Sequence, residues 1–251
     1  AATTEDQSEG EDRKPEAHLS PTATAVPAAG ATAKHIVAVA TVKEPYGTLN
    51  IAEATLGTHS GHTRYAVSGT LYTAPEIHQG LFTVNRDSQY VGSMVKDWSL
   101  SDNNRVWTFR LHDGIEFSDG WGQVKPEDII NAVRELGGED GHCGCSHILG
   151  MFDNPNGYFV GLDDQTLELD TGTPSWEVLR WLTTPGSSGV FSKTQWDTLL
   201  EDQTIDEITP QLVGAGPYKM EEAKTGEYFH LTAINDHWRK TPEFANVYYH
   251  F

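Results

Sequence analysis

The tract Gly141-His142-Cys143-Gly144-Cys145-Ser146-His147 brings two thiols and two imidazoles into one short loop. Thiolate sulfur and neutral imidazole nitrogen are ligands for zinc or nickel, so His142, Cys143, Cys145 and His147 form a candidate metal set. Structural zinc sites usually space their thiols as Cys-x-x-Cys, whereas the spacing here is Cys-x-Cys. The chain's only two cysteines could instead pair as a disulfide in an oxidising compartment, or remain free thiols. The sequence is compatible with all three states. His59 and His62 could act as ligands or general bases, with solvated loop imidazoles as the plain alternative. Gly186-Ser187-Ser188-Gly189 lacks the Gly-x-Ser-x-Gly spacing of a nucleophile elbow. Neither a phosphate-cradling Gly-x-x-x-x-Gly-Lys nor His-Glu-x-x-His occurs. Catalysis has no anchor in the sequence, and neither an enzyme nor a cofactor is expected.

Positioning such residues requires a framework, and its elements are readable by period. Residues 48–54 alternate apolar and polar side chains as a first strand ahead of the Gly57 to Gly61 loop. Residues 63–80 read as largely helical. Leu81 to Val84 and a turn at Asn85-Arg86-Asp87 read as a hairpin. Trp107, Phe109 and Leu111 fall on one face of a strand and Thr108 and Arg110 on the other, which predicts burial of one side. Residues 126–136 are the best helix: Pro126 opens it, Glu127 and Asp128 sit at its positive end, and Ile129, Val133 and Leu136 form a stripe ended by Gly137-Gly138. Further strands are expected at 166–169, 218–220, 228–231 and 247–251, with short helices at 176–182 and 193–200. Gly114 and Gly120 bracket a tight excursion whose Asp113 and Asp119 could bond their own turn amides.

The 251 residues include 36 acidic and 17 basic side chains, a net charge of −19. That field repels phosphate backbones and anionic lipids, so nucleic acid is excluded as a partner. The acidity serves solubility, and preference for cationic solutes is the sharper alternative. Seven Trp and nine Tyr are core material, though solute clefts also recruit such rings. No stretch approaches the about eighteen apolar residues of a membrane span, so membrane insertion is not expected. Residues 1–45, acidic and then rich in Ala, Thr and Pro, read as a disordered tether, with a short strand at 36–40 as an alternative. Its opening, Ala1-Ala2-Thr3-Thr4, resembles the sequence behind a removed export signal or a lipid-bearing Cys. A periplasmic or extracellular location follows as an expectation, and a lipid tether is compatible with it.

Two motifs carry a family resemblance. From Asp97 to Gly120 the chain has Trp98, a Ser101-Asp102 turn, the strand Thr108-Phe109-Arg110-Leu111 and then Gly114-Ile115-Glu116-Phe117-Ser118-Asp119-Gly120. A helix opening on Glu127-Asp128 follows. The second motif is Gly214-Ala215-Gly216-Pro217-Tyr218, followed by Asn235-Asp236-His237-Trp238 and Pro242, with His237 where the usual residue is Tyr. Together they resemble the peptide/nickel class (family 5) of solute-binding proteins of ABC importers, from about residue 48 to residue 251.

The resemblance implies a mixed α/β (α+β) fold, the first lobe of a type II periplasmic-binding-protein architecture with mixed sheets and flanking helices. Residues 46–251 would form that lobe, with 66–160 as an inserted subdomain. The chain would be truncated before a second lobe. It further implies capture of peptides or similar small solutes for an ABC permease, by a protein expected to act as a monomer. By place in the family pattern, Thr55, Leu56, Thr58 and His59, then Ser146 and His147, then Gly214, Ala215 and Gly216 are the expected solute contacts. A nickel or zinc receptor built on the Cys/His tract, or a truncated relative that does not transport, are the alternatives.

Overall fold

The computed structural model describes residues 44–53, 74–137, 154–183, 189–224 and 226–251. One sheet has the order β1 (Thr48–Ala52), β10 (Asn246–His250), β9 (Tyr228–Ala233), β8 (Tyr218–Lys224). The first pair is parallel and the other two are antiparallel. Period-two alternation decides its faces. Phe229, Leu231, Val247 and Tyr249 are buried on one side, packed with Ile77 and Tyr218. Tyr228, His230, Tyr248 and His250 form a half-exposed aromatic ladder on the other, with His230 stacked on Tyr248 at a centroid distance of 4.2 Å.

A second, fully antiparallel sheet runs β4 (Val95–Leu100), β5 (Val106–Leu111), β7 (Thr166–Asp170), β6 (Tyr158–Gly161). Trp107, Phe109 and Leu111 are 4%, 0% and 0% exposed, as the alternation of β5 predicts. Asn104 takes φ +55 in the turn between β4 and β5, a conformation that asparagine tolerates better than most residues. The expected hairpin forms from β2 (Phe82–Val84) and β3 (Tyr90–Gly92). Its turn is closed by Asn85 Oδ1, which accepts from Asp87 N and Gln89 N at 2.9 Å each. Arg105 at the head of β5 clamps Asp170 at the end of β7 through two hydrogen bonds of 2.5 and 2.6 Å.

The helices are α1 (Ala74–Ile77), α2 (Pro126–Gly137), α3 (Val178–Trp181), α4 (Lys193–Leu200) and α5 (Ile205–Ile208). Of the helix expected at 63–80, α1 is the described part, and residues 78–80 lie beyond its end. Ile129 and Val133 of α2 enter the same core as Trp107, Phe109, Leu111, Leu167 and Leu169. The stretch carrying the first motif is therefore the edge and second strand of a sheet whose buried face meets α2. Asp128 ties two helix starts together: one carboxylate oxygen accepts from Lys125 N at 2.8 Å and the other from Lys193 N at 2.7 Å. These are backbone donors that the first turns of α2 and α4 would otherwise leave unsatisfied. Burial raises the Asp128 pKa, and both N–H donors act against that rise.

One expectation is corrected. Gly114 and Gly120 do take positive φ, +71 and +79, but Asp113 and Asp119 do not bond their own turns. Asp113 instead accepts from Lys96 Nζ at 3.2 Å and Gln165 Nε2 at 2.5 Å, and Asp119 accepts from Lys219 Nζ at 2.8 Å. Lys96 and Lys219 on neighbouring strands, and Gln165 in the turn before β7, bring donors to these carboxylates, which the turn sequence alone could not reveal.

Candidate functional site

The segment Gly214-Ala215-Gly216-Pro217 leads into β8 and is pressed against α1. A Cβ on Gly214 would lie 1.9 Å from Ile77 O, and one on Gly216 would lie 2.2 Å from Glu76 O. Only glycine permits this approach. It is fixed by a hydrogen bond from Gly216 N to Ile77 O at 2.9 Å and one from Ser118 N to Gly214 O at 3.1 Å. The second motif reaches the same bend. His237 Nε2 lies 3.0 Å from Ala215 O and Trp238 Nε1 lies 3.1 Å from it, so one carbonyl oxygen accepts from two rings. Pro217 O accepts from Ile234 N at 2.9 Å. Gly214, Ala215 and Gly216 are thus brought together at one junction, and these carbonyls and the Gly216 N–H are bonded within the chain.

Donation to a carbonyl requires a proton on His237 Nε2, while Nδ1 faces both Lys240 O at 3.3 Å and Lys240 N at 3.4 Å, accepting from the latter in the neutral ring. Burial lowers the His237 pKa, and the charge of Arg239 adds to the fall. His78, at the end of α1, is 2% exposed. Burial pushes its pKa down to about 4 despite a hydrogen bond with the Val190 backbone. Burial also raises the Glu76 carboxyl. Burial thus disfavours the charged form of Glu76, His78 and His237, all close to the glycine bend in the chain or by contact.

Two concavities flank these motifs. A notch of about 240 Å³ beside the bend is lined by Gln79, Pro217, His237, Arg239, Lys240 and Thr241, among others. A broader cleft of about 650 Å³ opens at the end of β5, where Arg110, His112, Gln123, Lys125, Asp163 and Gln165 contribute to its wall. Its charges are mixed: Lys125 approaches Asp164 at 3.8 Å, and Asp163 Oδ1 is occupied by the N–H groups of Gln165 and Thr166, each at 2.8 Å.

The other expected contacts, Thr55, Leu56, Thr58, His59, Ser146 and His147, lie outside the described residues, as do His142, Cys143 and Cys145. Among the described residues, no three His, Cys, Asp or Glu side chains converge as metal ligands, and no helix is long and apolar enough to cross a membrane. The sequence reading missed Gln79, Arg239, Lys240 and Thr241. The Arg239-Lys240 pair in so acidic a chain, just before Pro242, was the available signal.

The family model described as bacterial extracellular solute-binding proteins, family 5 middle, matches residues 89–251. A curated relative, the probable ABC transporter periplasmic-binding protein SapA of Escherichia coli (strain K12), is 24% identical over 173 residues. The match covers 61% of this chain and 30% of that relative. The fold is similar to the dipeptide binding protein from Pseudoalteromonas sp. SM9913, solved with Met-Leu, at a TM-score of 0.72 and 16% identity. It is also similar to the periplasmic binding protein DppA from Helicobacter pylori, solved with the peptide STSA, at a TM-score of 0.70 and 20% identity. Each comparison covers 82% of this chain and 43% of the other, so the chain spans less than half the length of these structures.

Proposed function

The chain belongs to the bacterial extracellular solute-binding proteins of family 5, and from that premise we propose that it is the substrate-binding component of an ABC importer. It captures peptides or similar small solutes outside the cytoplasm and presents them to a permease. The observation that carries this reading is the meeting of the two motifs. The second closes on itself at Ala215 O, where His237 and Trp238 converge. It is joined to the first through Ser118 N on Gly214 O and Lys219 Nζ on Asp119. Such a junction offers a rigid border beside which a solute can be held without the protein having to reorganise. By their place in the family pattern, Thr55, Leu56, Thr58 and His59, together with Ser146 and His147, are assigned to solute contact, and the Gly214 to Gly216 bend to the border. Recognition of an extended peptide rests mainly on backbone hydrogen bonds and aromatic contacts.

Mass spectrometry of whatever the full chain carries through a gentle purification tests this. Peptides or peptide-like solutes released on denaturation are expected. Recovery of nickel or zinc in stoichiometric amount with no organic solute would overturn the peptide reading in favour of the Cys/His tract.

A further inference from the structure

The small notch beside Pro217 has a charge character opposite to that of the chain. Acidic residues outnumber basic ones by 36 to 17 overall, yet among the described residues its lining holds Arg239 and Lys240 and no carboxylate. Glu243 approaches Lys240 only at 3.8 Å, and both side chains are largely exposed. Arg239 raises the local potential enough to contribute to lowering the pKa of both His237 and His112. Gln79, half-buried, contributes one wall. Gln79 Nε2 donates to Ser93 Oγ at 2.6 Å, while Gln79 Oε1 is buried and has no hydrogen-bond partner. A lone buried polar atom of this kind is destabilising until something pairs with it. Because a hydroxyl both donates and accepts, a half-turn of the amide keeps the Ser93 contact and places an N–H donor where the unpartnered oxygen now sits.

We propose that this notch is a binding site for a small carboxylate anion, held between the Arg239 guanidinium and the Lys240 ammonium and completed by the Gln79 amide. A guanidinium fork matches a carboxylate in shape as well as charge. The notch's volume, about 240 Å³, is on the order of eight water volumes, enough for a short dicarboxylate or the C-terminal end of a peptide. The site shares His237 in its wall with the solute-binding reading, but the groups that hold the anion, Arg239, Lys240 and Gln79, have no part in that reading.

The test is titration of the full chain with sodium succinate at constant ionic strength, following the Trp238 indole N–H resonance, which reports on the Ala215 bond beside the notch. A Trp238→Phe sample assigns the signal. A second arm compares a tripeptide with a free C-terminus against its C-terminal amide, which separates a peptide end from a free small acid as the source of the carboxylate. A saturable shift with succinate is expected, weakened roughly two- to fivefold by Arg239→Gln or Lys240→Gln alone, as for exposed ion pairs. Both side chains are exposed, so the variants should keep the wild-type melting temperature. The proposal is overturned by a shift that sodium chloride reproduces, that never saturates, or that survives the double substitution. Peptide binding seen by calorimetry, with no movement of Trp238 in either the succinate or the tripeptide titration, would overturn this site while leaving the importer role standing.

Discussion

The indole N–H of Trp238 donates to the carbonyl oxygen of Ala215 across 3.1 Å, joining two parts of one motif that lie more than a full hairpin apart in the chain. His237 donates to the same oxygen, so Trp238→Phe should leave that oxygen one donor while keeping most of the ring's packing. The expected loss is about 1 kcal/mol, the usual net worth of one such bond. Urea unfolding of wild type and variant measures it.

The glycine bend should be intolerant of a single methyl group. Gly214→Ala would place Cβ 1.9 Å from the Ile77 carbonyl oxygen, a clash that only backbone movement can relieve, so destabilisation beyond about 3 kcal/mol is expected. Gly47, with φ +68 and open space around it, is the control. Gly47→Ala should cost only about 1–2 kcal/mol, the strain of a left-handed backbone. Equal midpoints for the two variants would show that α1 does not press on the bend.

Asp128 should matter more through its two acceptors than through its charge. Asp128→Ala strips partners from Lys125 N and Lys193 N together, with an expected cost of roughly 2–3 kcal/mol. Asp128→Asn keeps one acceptor oxygen and should lose about half as much. Chemical denaturation of both variants gives the comparison, and indistinguishable losses would contradict the two-helix tie.

His78 sets a pH dependence whose sign is fixed. Its folded pKa, about 4, lies below the ordinary 6.5, so the unfolded chain binds the extra proton. Stability from this group is complete above pH 6.5 and falls as the pH drops toward 4, by roughly 3 kcal/mol in all. His237 and His112, also lowered, act in the same direction. Glu76 and Asp128, raised by burial, act oppositely, because acid relieves their penalty. The clean readout is the difference between wild type and His78→Gln, which should shrink between pH 7 and pH 4.5. A difference independent of pH would show that His78 titrates normally.

Much of the framework was legible because its signals are local. Trp107, Phe109 and Leu111 announce β5 by alternation, Pro126 and the Ile129/Val133 stripe announce α2, and Ser192 followed by residues 193–200 gives α4, with Ser192 Oγ accepting from Gln195 N at 3.2 Å. Strands β4 and β6 were not read. In β6 only Phe159 is buried, while Tyr158 and Val160 remain exposed on the sheet edge, so no alternation marks it. The carbonyl shared by His237 and Trp238, and the notch beside it, form only when α1, the bend and the 237–242 turn converge. Sequence proximity carries no trace of that convergence. Asp113 and Asp119 illustrate the same limit, since their lysine partners sit on other strands.

Solute capture is tested most directly by isothermal titration calorimetry of the full chain against di-, tri- and tetrapeptides, with nickel and zinc as parallel titrants. The account predicts saturable one-to-one heats with at least one peptide length, reduced by His59→Ala and left unchanged by Cys143→Ser. Saturable heat with nickel or zinc that Cys143→Ser abolishes, and none with any peptide, would contradict it.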